Sequence, residues 1–303
     1  MRPWVPALLL LAACTGTVEG EFAGPDADGA DGAVSPRDAG SQAPDAAGPA
    51  GPDAASPGPD AAAAGPDASA YLGTLAAGDS TSTLDVAGQS RTVELHAPAA
   101  VASRALPLVI ALHGNGDTAA NFVAALGLRT LSDADGFVLA APQGITQSFT
   151  VYGQPVSGVD WDAYRTVADG NIDLPLLDAL LAQLEATGSI DSKRAFVFGY
   201  SQGGYLSFRW GLEASARLSC ATVAAAGNPL PGSTLISGTA RKVAVALQVG
   251  ALDGAAANAR SSRDELLANG HPVKFAEIAG AGHVPFPGDP KVPLEWCLTQ
   301  SLP

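Results

Sequence analysis

The chain contains no run of Lys or Arg, no Cys-x-x-Cys or His-Glu-x-x-His spacing, and no apolar stretch of the about 20 residues that a membrane helix needs. Each absence removes a class of function. Nucleic-acid backbones are held by clustered cations. A chain of net charge −14, with 16 Lys and Arg against 30 Asp and Glu, argues against such a partner. Zinc sites need closely spaced Cys and His, so no metal is expected, and no other cofactor. Charged residues are also scarce, at 15% against 47% hydrophobic. A chain of that composition can bury a sizeable core and is not disordered as a whole.

The acidity is concentrated. Residues 15–70 carry ten of the acids and one base, Arg37, and consist almost entirely of Ala, Gly, Pro, Asp and Ser. Pro-Asp-Ala recurs at Pro25, Pro44, Pro52, Pro59 and Pro66. The last three are evenly spaced but form no heptad, because no side chain larger than Ala recurs and Pro interrupts a helix. Such a segment cannot bury enough surface to offset its ordering entropy. It is expected to be a disordered tether (14–70), spanning roughly 40 Å as a flexible chain. Ahead of it, Met1-Arg2 and the apolar run Val5–Ala13 fit a secretory signal, residues 1–13. The run ends Leu11-Ala12-Ala13-Cys14, which resembles a bacterial lipobox. That resemblance implies lipidation of Cys14 and a protein tethered to a bacterial membrane outside the cytoplasm.

Residues 71–303 read as one domain. Ser82–Val86 and Arg91–His96 alternate apolar and polar residues about Ala87-Gly88-Gln89, as in a β-hairpin. Short apolar runs follow at Leu106–Leu112, Phe137–Ala141, Ala195–Phe198, Thr222–Ala226, Val243–Val249 and Val273–Ile278. Helical spacing appears between them at Thr118–Leu126, Asp173–Glu185, Gln202–Leu212, Ala256–Ala268 and Val292–Leu302. Strands alternating with helices predict a mostly parallel sheet covered on both faces, with the hairpin as its antiparallel edge.

Gly199-Tyr200-Ser201-Gln202-Gly203 lies between a strand and a helix. This is the setting of a nucleophile elbow, in which a serine hydroxyl is exposed on a tight turn and the flanking glycines avoid clashes. A nucleophilic Ser needs a base and an acid, which in this arrangement follow it, each after a later strand. His271 and His283 are the His beyond Ser201. His283 follows the last strand, whereas His271 precedes it and belongs to the far end of the sheet. Asp253, in Gly250-Ala251-Leu252-Asp253-Gly254, follows the preceding strand and is the acid candidate; its bland alternative is a turn residue. An oxyanion hole would use the backbone N–H of Gln202 and a second from His113-Gly114-Asn115-Gly116, at Asn115 or Gly114. His113 is expected to shape that loop. Trp161 and Tyr164, in a long connection, either line a substrate surface or pack the loop itself. Outside the cytoplasm Cys220 and Cys297 could pair, although nothing in the sequence places them together.

Together these segments resemble the α/β-hydrolase superfamily over roughly residues 106–298. Within it they resemble the polyhydroxybutyrate depolymerase and feruloyl-esterase-like group; the hexapeptide Gly199–Gly204 also looks like the carboxylesterase/phospholipase group. A Trp common after the catalytic His of the depolymerase-like group is replaced by Val284. The resemblance implies a serine esterase acting through an acyl-enzyme on a small or polymeric ester, a polyester or a feruloyl or acetyl polysaccharide ester among them. The rival readings are a serine peptidase on the same fold and a surface lipoprotein that binds without catalysis.

Overall fold

Residues 75–151 and 154–303 are described by the computed structural model. The signal, Cys14 and the tether lie outside the described residues. The hairpin comes first: β1 (Gly78–Val86) pairs antiparallel with β2 (Gln89–Ala97). Its two-residue turn places Ala87 at φ 52° and Gly88 at φ 73°, the primed-turn geometry that matches strand twist.

Next come β3 (Leu106–Leu112), α1 (Ala119–Ala125), α2 (Leu128–Asp135) and β4 (Val138–Pro142). A separate hairpin follows, β5 (Ile145–Val151) and β6 (Gln154–Asp160). The remainder alternates: α3 (Asp173–Ala186), β7 (Ile190–Tyr200), α4 (Gln202–Glu213), β8 (Cys220–Ala224), β9 (Ala244–Gly250), α5 (Ala256–Ala268), β10 (Val273–Ile278) and α6 (Lys291–Leu298). The eight-stranded sheet has the order β1-β2-β4-β3-β7-β8-β9-β10. It is parallel from β4 to β10, with the first hairpin as its antiparallel edge. The order turns back at β3, between β4 and β7, and at such a point loops diverge to leave a crevice beyond the strand ends.

Both faces of the sheet are covered. In β3, Leu106, Leu108, Ile110 and Leu112 join a core with Leu177, Leu181 and Trp210, from α3 and α4. Val109 and Ala111 join the opposite core with Phe122, Phe196, Phe198 and Leu294. Burial on both sides is why these strands appear in the sequence as unbroken apolar runs rather than as alternation. Thr118 caps α1, its hydroxyl accepting the N–H of Asn121 at 3.1 Å.

Three features depart from the sequence expectations. Leu128–Asp135 is helical, bounded by Gly127 and Gly136 in left-handed conformation. Residues 145–160, expected as a plain connection, form the β5–β6 hairpin, with Ile145, Phe149 and Val151 in its first strand and Pro155 and Gly158 in its second. Cys220 lies within β8 rather than before it, and it is joined to Cys297 of α6 by a disulfide, the pairing the sequence had left open.

Candidate active site

β7 ends at Tyr200 and α4 starts at Gln202, so the whole reversal falls on Ser201. Its backbone adopts φ 53° and ψ −120°, a region costing on the order of 1–3 kcal/mol for a non-glycine residue. Two bonds hold it there: Ser201 N–H donates to Ala224 O at 2.9 Å, and Tyr205 N–H donates to Ser201 O at 2.8 Å. The glycines are required by contact. A Cβ on Gly203 would run into the carbonyl oxygens of Leu112 and His113, and one on Gly199 into Gly203 O. The elbow therefore presses directly on the end of β3.

The structure brings Ser201, His283 and Asp253 into one line. Ser201 Oγ is 2.9 Å from His283 Nε2. His283 Nδ1 lies 3.0 Å from each carboxylate oxygen of Asp253. Asp253 is buried while His283 is half-exposed, so the carboxylate is shielded and the imidazole can meet a substrate. Asp253 sits in the turn after β9, where its Oδ1 also accepts the Ala255 N–H at 2.8 Å. Gly250 makes the meeting possible, because a Cβ there would strike the carbonyls of Ala281 and Gly282, immediately before His283. Tyr200 supports the imidazole from the side: its ring is tilted against that of His283 at 5.3 Å, and its hydroxyl donates to His283 O at 3.4 Å. Burial pushes the Tyr200 phenol up to about 12, so it stays neutral.

The His113–Gly116 loop passes beside the nucleophile. A Cβ on Gly114 would lie 2.9 Å from the Tyr200 ring and 3.6 Å from Ser201 Cβ. Gly114 O accepts Asp117 N–H at 3.3 Å and lies 2.7 Å from His113 Nδ1. The trans peptide then turns the Asn115 N–H to the opposite side. Gln202 N–H is the first of α4 and has no acceptor within the helix. The loop after β3 and the start of α4 thus both adjoin Ser201.

His113 is buried, and its Nε2 accepts the Gly144 N–H at 2.9 Å. It shapes the loop, as the sequence suggested. Trp161 answers the open question in favour of packing. It is fully buried, and its indole N–H donates to His113 O at 2.9 Å, so it supports the loop and lines no substrate surface. Tyr164 is partly exposed, its hydroxyl donates to Gln202 Oε1 at 3.0 Å, and its ring lies against Phe149 and Tyr205. The residue that sequence reading missed is Asp160, wholly buried at the end of β6 between Asn115 and Gln202. Only the hairpin reveals it, because a plain connection over residues 145–160 gives Asp160 no role.

His271 lies at the far end of the sheet. It is buried with Nδ1 3.0 Å from Val243 O, before β9. Burial holds both His113 and His271 below the ordinary imidazole range. Both are neutral in the fold, whereas the unfolded chain protonates near about pH 6.5. Stability should therefore be complete above that pH and fall as pH drops below it, by up to about 1.4 kcal/mol per pH unit for each His. Asp160, raised by burial, acts in the opposite sense. Urea midpoints at pH 7.5, 6.0 and 5.0 check the balance, and His271→Gln should flatten the fall. A midpoint that rises on acidification would contradict it.

A family model described as phospholipase/carboxylesterase matches residues 97–263. A protein of Nocardia uniformis subsp. tsuyamanensis, named as an inferred esterase, is 29% identical over 140 residues, 45% of this chain and 38% of that protein. A bifunctional acetylxylan esterase/xylanase of Neocallimastix patriciarum is 27% identical over 121 residues, 40% of this chain and 16% of that protein. The chain thus spans less than half the length of either relative. A ferulic acid esterase structure superposes with TM-score 0.55 at 16% identity, covering 73% of this chain and 95% of that one. An S-formylglutathione hydrolase from Agrobacterium tumefaciens gives 0.54 at 16% identity, covering 75% and 98%. At such identities these two structures share the fold.

Proposed function

Because the chain belongs to the phospholipase/carboxylesterase family of α/β-hydrolases, we propose that it hydrolyses carboxylic esters through an acyl-enzyme on Ser201. The observation that carries this reading is the line from Ser201 Oγ through His283 to Asp253, with contacts of 2.9 and 3.0 Å. His283 Nε2 takes the Ser201 proton as Oγ bonds to the ester carbonyl carbon. The resulting oxyanion is met by the N–H groups of Gln202 and of Asn115 or Gly114. As the C–O bond of the alcohol breaks, His283 returns the proton to the leaving oxygen. Water, deprotonated by the same imidazole, then releases the carboxylic acid and restores Ser201. Asp253 holds the Nδ1–H tautomer and stabilises the transient imidazolium.

The substrate we propose is an acyl group carried on a polymer, a feruloyl or acetyl ester of a polysaccharide or a polyester. Two features support it. Tyr164 and Tyr205, partly exposed, form an aromatic cluster with the buried Phe149 beside Gln202. Leu252 and Val284, next in sequence to Asp253 and His283, are 74% and 44% exposed, an apolar rim suited to an organic acyl or alcohol group. The acetylxylan esterase named above is consistent with the same class. Lipidation at Cys14 and the 14–70 tether would place this activity outside the cytoplasm on a bacterial membrane.

Hydrolysis of p-nitrophenyl acetate, butyrate and octanoate and of methyl ferulate tests the reading, together with labelling by a fluorophosphonate probe. Turnover and labelling that both vanish in Ser201→Ala are expected. Folded protein that neither labels nor turns over any ester would return weight to a binding role, and labelling with cleavage of peptides alone to a peptidase.

A further inference from the structure

Asp160 is wholly buried, yet its carboxylate reaches the side chain of Gln202, the residue after Ser201. Its Oδ1 accepts the Trp161 N–H at 2.8 Å, and its Oδ2 accepts Gln202 Nε2 at 3.4 Å. The Asn115 side-chain amide is its third polar neighbour. These two side chains belong to the residues assigned to the oxyanion hole, one from the loop after β3 and one from the start of α4. No other described carboxylate has both as polar partners. We propose that Asp160 is a positioning residue that ties Asn115 to Gln202 and so holds both oxyanion donors in register with Ser201. The proposal rests on the esterase reading and deepens it.

The anchor is itself fixed. Trp161, next in the chain, holds His113 O through its indole N–H, immediately before Gly114. Gly116 N–H donates to Val159 O at 2.7 Å, which fastens the far side of the loop to β6. Asp162 N–H donates to Asp173 Oδ2 at 2.7 Å, and Asp173 Oδ1 accepts from the buried Arg91 at 2.7 Å. Gln147 spans the hairpin, donating to Asp160 O at 3.1 Å and to Asp173 Oδ2 at 2.8 Å. Gln202 is gripped from its other end by the Tyr164 hydroxyl at 3.0 Å. Asp160 therefore stands at the end of a rigid polar frame reaching from β2 through α3 and the β5–β6 hairpin to the nucleophile. A frame of this kind holds donors in place before the oxyanion forms, which is where such donors act most strongly.

The test uses the full chain and p-nitrophenyl butyrate. Loss of one complete oxyanion donor costs about 100- to 1,000-fold in kcat, so loosened donors in Asp160→Asn should cost about 10- to 100-fold, with KM within about threefold. Phenylboronic acid, whose tetrahedral serine adduct places an oxygen in the same hole, should lose affinity in parallel. Gln202→Ala keeps its backbone N–H but breaks the same link, and should lower kcat about tenfold without adding fully to Asp160→Asn. It also serves as the test should Asp160→Asn fail to fold. Unchanged kcat in folded Asp160→Asn or in Gln202→Ala overturns the proposal. Full additivity, or lost kcat with intact boronate affinity, overturns it as well. Wild-type protein that turns over no ester would sink the esterase reading itself, and this one with it, a result distinct from active wild type with indifferent variants.

Discussion

Ser201→Ala and His283→Ala should each lower kcat on an activated ester by about a million-fold, and the double variant should lose no more than either alone. The reason is geometric. Ser201 Oγ, 2.9 Å from Nε2, is a nucleophile only while that nitrogen accepts its proton. Removing either partner ends the same event, so the two losses cannot multiply. Asp253→Ala should cost less, about ten-thousand-fold, because the imidazole keeps its contact with Ser201 and loses only the carboxylate that sets its tautomer and stabilises its charge. Residual turnover in all three would reflect the oxyanion donors, which these substitutions leave in place. Single-turnover rates with p-nitrophenyl butyrate, alongside circular dichroism to verify folding, provide the measurement. A double variant a million-fold slower than either single would mean that the two side chains act independently, and the shared mechanism would fall.

The second large effect is on stability. Replacing Cys220 and Cys297 together by Ala should destabilise the domain by about 4 kcal/mol on the chain-entropy account, lowering its Tm by about 10 °C. The bridge closes a separation of 77 residues, which includes β9, α5, β10 and the loops carrying Asp253 and His283. In the oxidised protein the unfolded chain cannot release that whole segment. The cysteine pair also ties β8, whose Ala224 O receives the Ser201 N–H, to α6 on one face of the sheet. Scanning calorimetry of wild type with and without reductant, beside the double variant, checks the expectation. Equal Tm values in all three samples would show that the bridge adds no stability. Because Ser201, His283 and Asp253 lie outside the pair, kcat at low temperature should change little.

The sequence was most informative where local chemistry has few solutions. A serine between glycines at a strand–helix junction can do little except form the elbow, since a Cβ at position 199 or 203 meets backbone oxygen. The mostly parallel sheet followed from short apolar runs alternating with helices, because strands buried on both faces are largely apolar on both. Asp253 and His283 followed from their position after successive strands, and the site they form with Ser201 needed no information beyond chain order. Helix and strand ends moved by a few residues, as in β7, which begins at Ile190 rather than at Ala195, because polar residues such as Lys193 can occupy the exposed start of a strand.

Other features depend on distant partners. Nothing local to Asp160 indicates that a carboxylate there is buried against Gln202, 42 residues later, or that Trp161 turns inward to His113, 48 residues earlier. The β5–β6 hairpin forms a separate two-stranded sheet, and although β5 is rich in Ile, Thr, Phe and Val, nothing local shows that it leaves the main sheet to carry Asp160 behind the site. The disulfide joins two cysteines that no spacing connects. The sequence by itself determined the fold class, the elbow and the order of nucleophile, acid and base, because these are set by periodicity, by backbone sterics at glycine and by chain direction. Only the tertiary structure decided which polar groups are buried together behind the site, because the energy of a buried carboxylate depends on donors that arrive from elsewhere in the chain.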